Sequence, residues 1–466
     1  MKRKWMAVVL AGAVLAQSML LGACGSKAGI TDGTQEQTAS DDGRQNQQED
    51  TAAADAETSA EEQTQTEGTQ AELEQTGTDS GQNTDGANGF AFRFTKAILE
   101  EKAEGDNLIV SPYSVWLPLA ALSNATEEGA REELLSALGM SGMDEAALNE
   151  AVKTAIGELT CQEQADWMEE NGFEYESPLK IANALFVGEN SRTEENFESV
   201  FADYFSGKLF SVDFSSEASA EKVNEWAKEA TKGKIDHIID AFDPDTVAAI
   251  ANAIYFSDAW NNKFSEEQTK EDVFHGKNTE EQVSFMNQKF TEMPYYEDDT
   301  MQAASLSTAN GGQLILLLPK DGKSPEEILA DMTAEQFSQI QGADFGTVQL
   351  SMPKFKLESD VFSVKEALEL LGVPLTDAQK PCLSGLVENE TLYISEAVQK
   401  AMIEVDEEGM TAAAVTIMAM ERASLPVEQE PVELKCDRPF AFLLTAYGGA
   451  EGQQVLFAGV VNQIGQ

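Results

Sequence analysis

The segment Asp406–Arg422, DEEGMTAAAVTIMAMER, decides how the rest of the chain is interpreted. Three acidic residues and Gly409 precede a run of mostly small residues that carries no formal charge. Such a run is typical of a protein core, yet Arg422, Pro426 and Glu428 follow closely. The segment is therefore a buried strand, a helix, or a loop that is apolar for another purpose, and the surrounding sequence has to decide between them.

The N-terminus has the composition of a secretory signal. Residues 1–23 begin with basic residues and continue as an apolar run that ends in small residues, too short for a membrane-spanning helix. Residues 21–24 resemble the cleavage box of bacterial lipoproteins, in which the cysteine is lipidated. We therefore predict a signal peptide over 1–23 and a lipidated Cys24 that anchors the protein to the outer face of a bacterial membrane. The alternative is an ordinary signal peptide with an incidental cysteine.

Residues 24–88 have the composition of a disordered tether. They are rich in Gln, Thr, Glu, Asp, Ala, Ser and Gly and contain almost no apolar residues. Such a segment cannot bury enough surface to offset the entropy of ordering it. Residues 89–466 mix apolar and charged residues, so we expect them to fold as a single domain that the tether holds away from the cell surface.

Charge and motif content exclude several classes of function. The net charge of −51 repels nucleic acids and anionic lipids, so we expect no nucleic-acid partner and membrane contact only through the lipid. The two histidines, His237 and His275, accompany no GxSxG elbow, and GxxxxGK[ST], GxGxxG and HExxH are absent. We therefore expect neither an enzyme nor a metal site, and no cofactor.

The cysteines of the folded part form no recognisable framework. Cys161, Cys382 and Cys436 are widely spaced and odd in number, without a CxxC pair. This pattern fits neither a disulfide scaffold nor a zinc site. One bridge with one remaining thiol stays open as an alternative.

Helices are predicted early in the folded part and strands late. Residues 89–105 and 107–139 show helical spacing of apolar residues, with a short strand at 108–110. An acidic loop is predicted between residue 139 and the buried strand at 179–189. From residue 281 onward strands dominate, with one helix at 360–372. Strands that are distant in sequence predict an α+β domain with non-local sheets.

Seven motifs, in order along residues 89–466, resemble those of the serpin family. They are NLIVSPYSVWLPLA, IANALFV, VNEWAKEATKGKI, ANAIYFSDAWNNKF, MPKFKLE, IEVDEEG followed by alanines, and CDRPFAFLL with VLFAGVVN. The resemblance implies the serpin fold, in which helices surround three β-sheets and a reactive-centre loop, here about residues 409–430, is exposed. It also implies a monomer that acts as a suicide substrate, forming a covalent 1:1 complex with a target serine protease.

The same resemblance explains the opening segment as a strand that inserts into the main sheet after cleavage. Its hinge would be Glu407, Glu408, Gly409, Met410, Thr411, Ala412, Ala413 and Ala414. Period-two alternation gives one face of Met410, Ala412, Ala414, Thr416 and Met418, and another of Thr411, Ala413, Val415, Ile417 and Ala419. Both faces lack charge, as a strand buried on both sides requires. The alternative is a permanent core strand.

The position of the cleaved bond follows from the hinge. The family places the hinge glutamate roughly seventeen residues before that bond, so Glu407 puts the bond between Ala423 and Ser424. The small Ala423 suits the shallow pocket of an elastase-like or subtilisin-like protease. A loop one residue shorter would use Arg422 and imply a trypsin-like target. Cysteine proteases are a further alternative, because they also form an acyl-enzyme.

Other positions carry over from the family by motif. Trp260 resembles the tryptophan at the top of the sheet gap, and Ser111, Ser114 and Asn252 resemble the polar cluster that lets strands part. Gln399 stands where the family often has histidine, so the pH sensitivity of that histidine is not expected. The bulky Met410 replaces a usual Thr or Ser and predicts slower insertion. No basic cluster lies between residues 142 and 180, so activation by heparin is not expected.

Together these features predict a secreted, surface-anchored inhibitor of extracellular serine proteases. A non-inhibitory carrier or surface protein with the serpin fold is the first alternative. A plain protease substrate, whose loop inserts too slowly to trap the protease, is the second.

Overall fold

The computed structural model describes residues 83–102, 105–243, 245–410, 430–450 and 452–464. In these ranges no helix is long and apolar enough to cross a membrane. The predicted signal peptide, Cys24 and most of the predicted tether lie outside the described residues, as does the segment 411–429.

Ten α-helices lie in the described residues, most of them in the first half of the chain. They are α1 (Gly86–Glu101), α2 (Pro112–Leu122), α3 (Glu128–Ala137), α4 (Glu145–Leu159), α5 (Gln162–Glu170), α6 (Glu195–Phe205), α7 (Glu217–Ala230), α8 (Pro325–Asp331), α9 (Ala334–Gln341) and α10 (Lys365–Leu370). The side chain of Asp144 accepts a hydrogen bond at the start of α4, and Ser324 and Glu327 form a capping box at the start of α8. These side chains satisfy backbone N–H groups that have no partner within the helix.

Two predictions about the helices were wrong. The expected acidic loop after residue 139 contains α4 and α5 instead. The apolar residues of α4, among them Leu148, Val152 and Ile156, are buried at helical spacing, whereas α5 buries no residue and has half-buried side chains only at Ala165 and Met168. The second wrong prediction is that a single helix, at 360–372, interrupts the late strands. Helix α10 lies there, but α8 and α9 also interrupt these strands. Each has only seven or eight residues, too few for a clear periodic pattern.

The strands divide into a large sheet and several smaller groups. They are β1 (Leu108–Val110), β2 (Leu179–Gly188), β3 (Gly207–Val212), β4 (Ala248–Phe256), β5 (Asp258–Ala259), β6 (Lys270–His275), β7 (Glu280–Glu297), β8 (Met301–Ser307), β9 (Gly312–Pro319), β10 (Phe345–Pro353), β11 (Phe355–Glu358), β12 (Phe362–Ser363), β13 (Val398–Gln399), β14 (Met402–Val405), β15 (Gly409–Met410), β16 (Val432–Lys435), β17 (Phe440–Tyr447) and β18 (Gln453–Val461). The large sheet has the order β1-β18-β17-β9-β8-β7-β10-β16, and β6 pairs with β7.

The central strands of the large sheet are buried on both faces. Strands β9 and β17 pair with each other and are buried along almost their whole length. Such continuous apolar strands occur where both faces of a sheet are covered. Here α1, α2 and α8 contribute to the same core, with Phe90, Phe94 and Leu117 fully buried.

A second sheet is divided into two halves. One half has the order β3-β2-β4, and the other has the order β11-β14-β15-β5. Only Ser257 separates β4 from β5, so both belong to one stretch of chain that runs along the division. In the described residues no ladder joins β4 to β14, and the two-residue strand β15 connects the halves at one end.

Helix α7 and the chain after it cover one face of the first half. Phe186 of β2 contacts the Trp226 ring edge-on, with 6.1 Å between ring centroids. Phe186, Phe214 and Val223 are buried in a small core of their own, against which Ile238 and Phe242 pack. This cover places the loop after α7 directly over the division in the sheet.

Candidate functional site

The division in the second sheet is a groove with a cavity of about 260 Å³. Its lining includes most of β4 and the segment from Leu392 to Ile403. Ile238, Ile239 and Phe242, from the loop after α7, also line it. The groove is therefore mainly apolar and is bordered by two strand edges that no ladder joins in the described part of the chain.

Strand β15 closes one end of the groove. Gly409 pairs with Ala259, and Met410 pairs with both Asp258 and Val405, antiparallel on either side. A Cβ atom on Gly409 would lie 2.2 Å from the backbone oxygen of Asp258. The approach of the backbones therefore requires glycine, in addition to any role as a pivot. Met410 is buried and lines the cavity.

The turn that precedes β15 is held by backbone and side-chain hydrogen bonds. The Asp406 carboxylate accepts from the backbone N–H groups of Glu408 at 2.9 Å and Gly409 at 3.2 Å. Trp260 is buried and donates twice to this turn, from Nε1 to the Asp406 oxygen at 2.8 Å and from its backbone N–H to the Glu408 oxygen at 3.0 Å. Trp260 therefore lies against the hinge, at the closed end of the groove.

The two hinge glutamates have different environments. The Glu407 side chain is 10% exposed, and its carboxylate meets Lys354 Nζ at 2.7 Å and accepts from the Thr269 hydroxyl at 2.8 Å. Burial raises the pKa of Glu407, but hydrogen bonds from Lys354, the backbone and Thr269 outweigh it, so that its pKa lies below the ordinary value. The Lys354 pKa is raised, chiefly by the hydrogen bond to Glu407. Glu408 is half exposed and pairs with Lys263.

Ser111, Ser114 and Gln399 form a polar cluster in the lining of the groove. Gln399 Oε1 accepts from the Ser111 backbone N–H at 3.0 Å, and its Nε2 donates to the Ser111 oxygen at 2.8 Å and the Ser114 hydroxyl at 2.9 Å. The Ser111 hydroxyl donates to the Leu456 oxygen at 2.8 Å. Gln399 therefore contacts the backbone of Ser111 and the side chain of Ser114, although it is distant from both in sequence, and both polar atoms of its amide are bonded.

Asn252 lines the same cavity but bonds elsewhere. It lies opposite Asn183 in the pairing of β2 with β4, and its Nδ2 donates to the Asn183 Oδ1 at 2.8 Å. Asn183 in turn donates to the Phe205 oxygen at 2.6 Å. The Asn252 Oδ1 is buried and accepts no hydrogen bond in the described structure. A buried acceptor without a donor is unfavourable, so this atom is suited to a donor that enters the groove.

Sequence reasoning missed four residues at the site. Asn183 was visible as the one amide in the apolar motif IANALFV, and Lys354 as the lysine of MPKFKLE. Lys234 lines the groove and meets Glu404 of β14 at 3.3 Å, which links the turn after α7 to the opposite half of the sheet. Nothing in the local sequence indicates which carboxylate each lysine meets.

Several predicted site residues lie outside the described residues. They are Thr411, Ala412, Ala413 and Ala414 of the hinge, Arg422, Ala423 and Ser424 at the predicted bond, and the predicted lipidation site Cys24. Cys161, Cys382 and Cys436 are buried and are not joined to each other. Burial raises the pKa of the Cys382 and Cys436 thiols, which keeps them protonated. The described residues contain no cluster of side chains that could hold a metal ion.

The second sheet is divided between β4 and β14, and the buried residues Gly409 and Met410 lie at one end of the division. Known proteins share this arrangement. The chain belongs to the serpin family, because the model of that family, described as serine protease inhibitor, matches residues 85–464. Antitrypsin of Bombyx mori is 31% identical over 368 residues, covering 77% of this chain and 89% of the relative. The predicted family and fold are confirmed.

Solved structures agree with this assignment. The native state of tengpin, a thermophilic serpin, superposes with a TM-score of 0.68 at 27% identity, covering 84% of this chain and 96% of tengpin. Thyroxine-binding globulin in complex with thyroxine superposes with a TM-score of 0.67 at 24% identity, covering 82% of this chain and 99% of the globulin. At that identity the second likeness shows the fold alone.

Replacing Lys354 with methionine is expected to destabilise the protein by about 1–3 kcal/mol. Loss of one partner of a buried ion pair costs about 3–5 kcal/mol, and we reduce this figure because Lys354 is 41% exposed. Because the Glu407 pKa is lowered, the pair stabilises fully above the ordinary value of 4.5 and its contribution is lost as pH falls through the lowered pKa. The deficit of Lys354→Met, measured by urea unfolding, is therefore largest at pH 7 and shrinks below pH 4.5.

The adjacent ion pair provides a matched control. Lys263→Met removes the partner of the half-exposed Glu408 and is expected to change stability by less than about 0.5 kcal/mol. Equal effects of the two substitutions, or a Lys354→Met deficit that does not depend on pH, would contradict the role assigned to the buried pair.

Proposed function

We propose that the protein inhibits extracellular serine proteases by adding its own cleaved loop to the groove between β4 and β14. The observation that carries the proposal is the arrangement of Gly409 and Met410, which already form the first residues of a strand at one end of that groove. Residue 411 follows directly. The occupant that we assign to the groove is therefore the segment that begins there.

The pairing of β15 fixes a register for such an added strand. Met410 pairs with Val405 and Asp258, so each later residue on the same face would lie two positions further along both neighbours. Thr416 would then lie opposite both Gln399 and Asn252. On the face formed by Met410, Ala412, Ala414, Thr416 and Met418, Thr416 is the one polar residue. It would meet the polar part of the groove lining, around Gln399 and Asn252. Its hydroxyl could donate to the unpartnered Oδ1 of Asn252.

The chemistry requires a protease that forms an acyl-enzyme. The serine hydroxyl of the protease attacks the carbonyl carbon of Ala423, the C–N bond to Ser424 breaks, and the proton from the hydroxyl reaches the leaving amine. The protease is then esterified to residue 423, at the end of the segment that enters the groove. Insertion carries the protease away from its starting position before water can hydrolyse the ester.

Strand addition supplies the free energy for this movement. Each backbone hydrogen bond contributes about 0.5–1.5 kcal/mol, so a strand of ten or more residues paired on two edges gains on the order of 10 kcal/mol. Small residues at 412–414 can enter between strands whose spacing is fixed. Lys234, on the turn that covers the groove, pairs with Glu404 of β14 at 3.3 Å, so an entering strand would pass close to this ion pair.

The target follows from the residue that precedes the cleaved bond. Ala423 favours an elastase-like or subtilisin-like protease, and Arg422 would imply a trypsin-like one. Cysteine proteases are an alternative that also passes through an acyl-enzyme. We propose a monomer that forms a covalent 1:1 complex and needs neither heparin nor nucleic acid.

A non-inhibitory function is the second candidate. The bulky Met410 favours it, because it occupies the end of the groove through which the loop must pass. Thyroxine-binding globulin, which is similar to this chain in fold, binds thyroxine, so a protein with this fold can hold a small molecule. The small residues after Met410 favour the inhibitor, since a carrier has no need of them.

Incubation of the full chain with elastase, subtilisin and trypsin is expected to yield a 1:1 complex that survives SDS. The peptide released from the C-terminal side should begin at Ser424, as read by Edman sequencing. Loop cleavage should also raise the thermal midpoint of unfolding by tens of degrees, because the groove is filled. A peptide that begins at Ala423 instead assigns the bond to Arg422. Cleavage with full protease activity remaining and an unchanged midpoint contradicts inhibition.

Replacing Thr416 with valine is expected to destabilise the cleaved form by about 1–3 kcal/mol, since the Asn252 Oδ1 would lose its donor. The midpoint of guanidinium unfolding measures the effect, and the uncleaved form should change by less than a third as much. Thr411→Val, on the opposite face, is the matched control. In an Asn252→Ala background the effect of Thr416→Val should largely disappear. Similar losses from both threonine variants would show that the register is wrong.

We also propose that Cys24 is lipidated and anchors the protein to the outer face of a bacterial membrane. The supporting observation is the sequence LGAC at the end of the predicted signal. Cys24→Ser expressed in a bacterium should move the protein from the detergent phase of a Triton X-114 extraction to the aqueous phase. Ser26→Ala, two residues away, should leave the protein in the detergent phase. An unchanged distribution of the Cys24 variant would exclude the anchor.

A further inference from the structure

Helix α5 contributes no residue to the buried core. It follows α4 directly, begins after Cys161 in a left-handed backbone conformation (φ 50°), and buries none of its residues. A helix of nine residues without a buried face gains little from packing, which normally supplies most of the stability of a helix. Its exposed side chains are therefore the part of α5 that requires an explanation.

Two large aromatic side chains are exposed on this element. Trp167 is 48% and Phe173 60% exposed, and their rings stack with a centroid distance of 6.4 Å and an interplanar angle of 12°. In the described residues Trp167 is the only tryptophan exposed to this extent, whereas Trp116 and Trp260 are buried. A paired tryptophan and phenylalanine on the surface are typical of the centre of an interaction site.

The aromatic pair lies within a segment of one charge. No lysine or arginine occurs between Lys153 and Lys180, whereas α5 and the residues after it carry five exposed carboxylates. These are Glu163, Asp166, Glu169, Glu170 and Glu174. The described structure gives none of them an ion pair, although Asp166 accepts a hydrogen bond from the Gln162 amide at 2.6 Å. Glu176, at the edge of the segment, pairs with Lys180 and Lys232.

We propose that the surface formed by Trp167, Phe173 and these five carboxylates docks a lysine- and arginine-rich segment of another protein. A guanidinium group can stack on the exposed indole while its N–H groups pair with carboxylates on either side. The surrounding negative charge accelerates association with such a segment. The same charge repels nucleic acids and anionic membranes, so the complementary partner is a basic protein surface. This surface requires no loop insertion and is independent of inhibition.

The test uses the full chain and a fluorescein-labelled peptide of twelve alternating arginine and alanine residues, with both ends blocked. Fluorescence anisotropy at 50 and 150 mM salt measures affinity. The double variant Trp167→Ala/Phe173→Ala is expected to bind the peptide at least tenfold more weakly. A quadruple variant in which Glu163, Glu169, Glu170 and Glu174 are changed to glutamine is expected to show a loss of the same size. The thermal midpoint should stay within 2 °C, because α5 buries no residue.

Helix α7 offers a control of equal charge. Its residues Glu217, Glu221, Glu225 and Glu229 are also exposed, and α7 exposes no comparable aromatic pair. Changing these four to glutamine should alter affinity by less than threefold. Equal losses of affinity in the α5 and α7 quadruple variants would show that the peptide binds through general charge attraction, and would overturn the proposal. Normal binding by the aromatic double variant would also overturn the proposal. A dimer in analytical ultracentrifugation that the aromatic double variant abolishes would overturn it too, since the surface would then serve self-association.

Discussion

The structure depends on a pair of strand edges that the fold leaves apart. Strands β4 and β14 face the same groove, and in the described residues β15 is the one strand that pairs on both sides of the division. Strand edges are normally paired, covered or shortened, because an open edge recruits further strands. Here the loop after α7 covers the groove, and β15 lies at its end, where the segment proposed to enter it begins.

The contacts around the hinge keep this arrangement in place. Trp260 donates two hydrogen bonds to the turn at residues 406–408, and Lys354 neutralises the buried Glu407. Each contact holds the turn against the first half of the sheet or against β10 and β11. Among the buried side-chain polar atoms that line the groove in the described residues, the Asn252 Oδ1 has no hydrogen-bond partner. A sheet that can part and close again needs polar groups that can exchange partners, and amides and hydroxyls meet this need.

The sequence predicted the parts of this protein that local pattern determines. Apolar patterns predicted α1, β2 and the predominance of strands after residue 281, where β9 and β17 lie, and the order of the family motifs indicated the fold. Local patterns could not predict the division of the sheet. It depends on which strand edges face each other, and the residues on the two sides, such as Asn252 and Gln399, are more than 140 positions apart. Helix α5 was missed since it has no buried face. At Gly409 the sequence suggested freedom of the backbone, whereas the structure shows a close approach to Asp258.

The position of the last strand has a consequence for how the chain is made. Strand β18 pairs with β17 and with β1, so it lies inside the large sheet and not at its edge. Within the described residues, β1 therefore has no strand partner until β18 has been synthesised. The large sheet therefore cannot be completed while β18 is missing, so its core depends on contacts between residues far apart in the sequence.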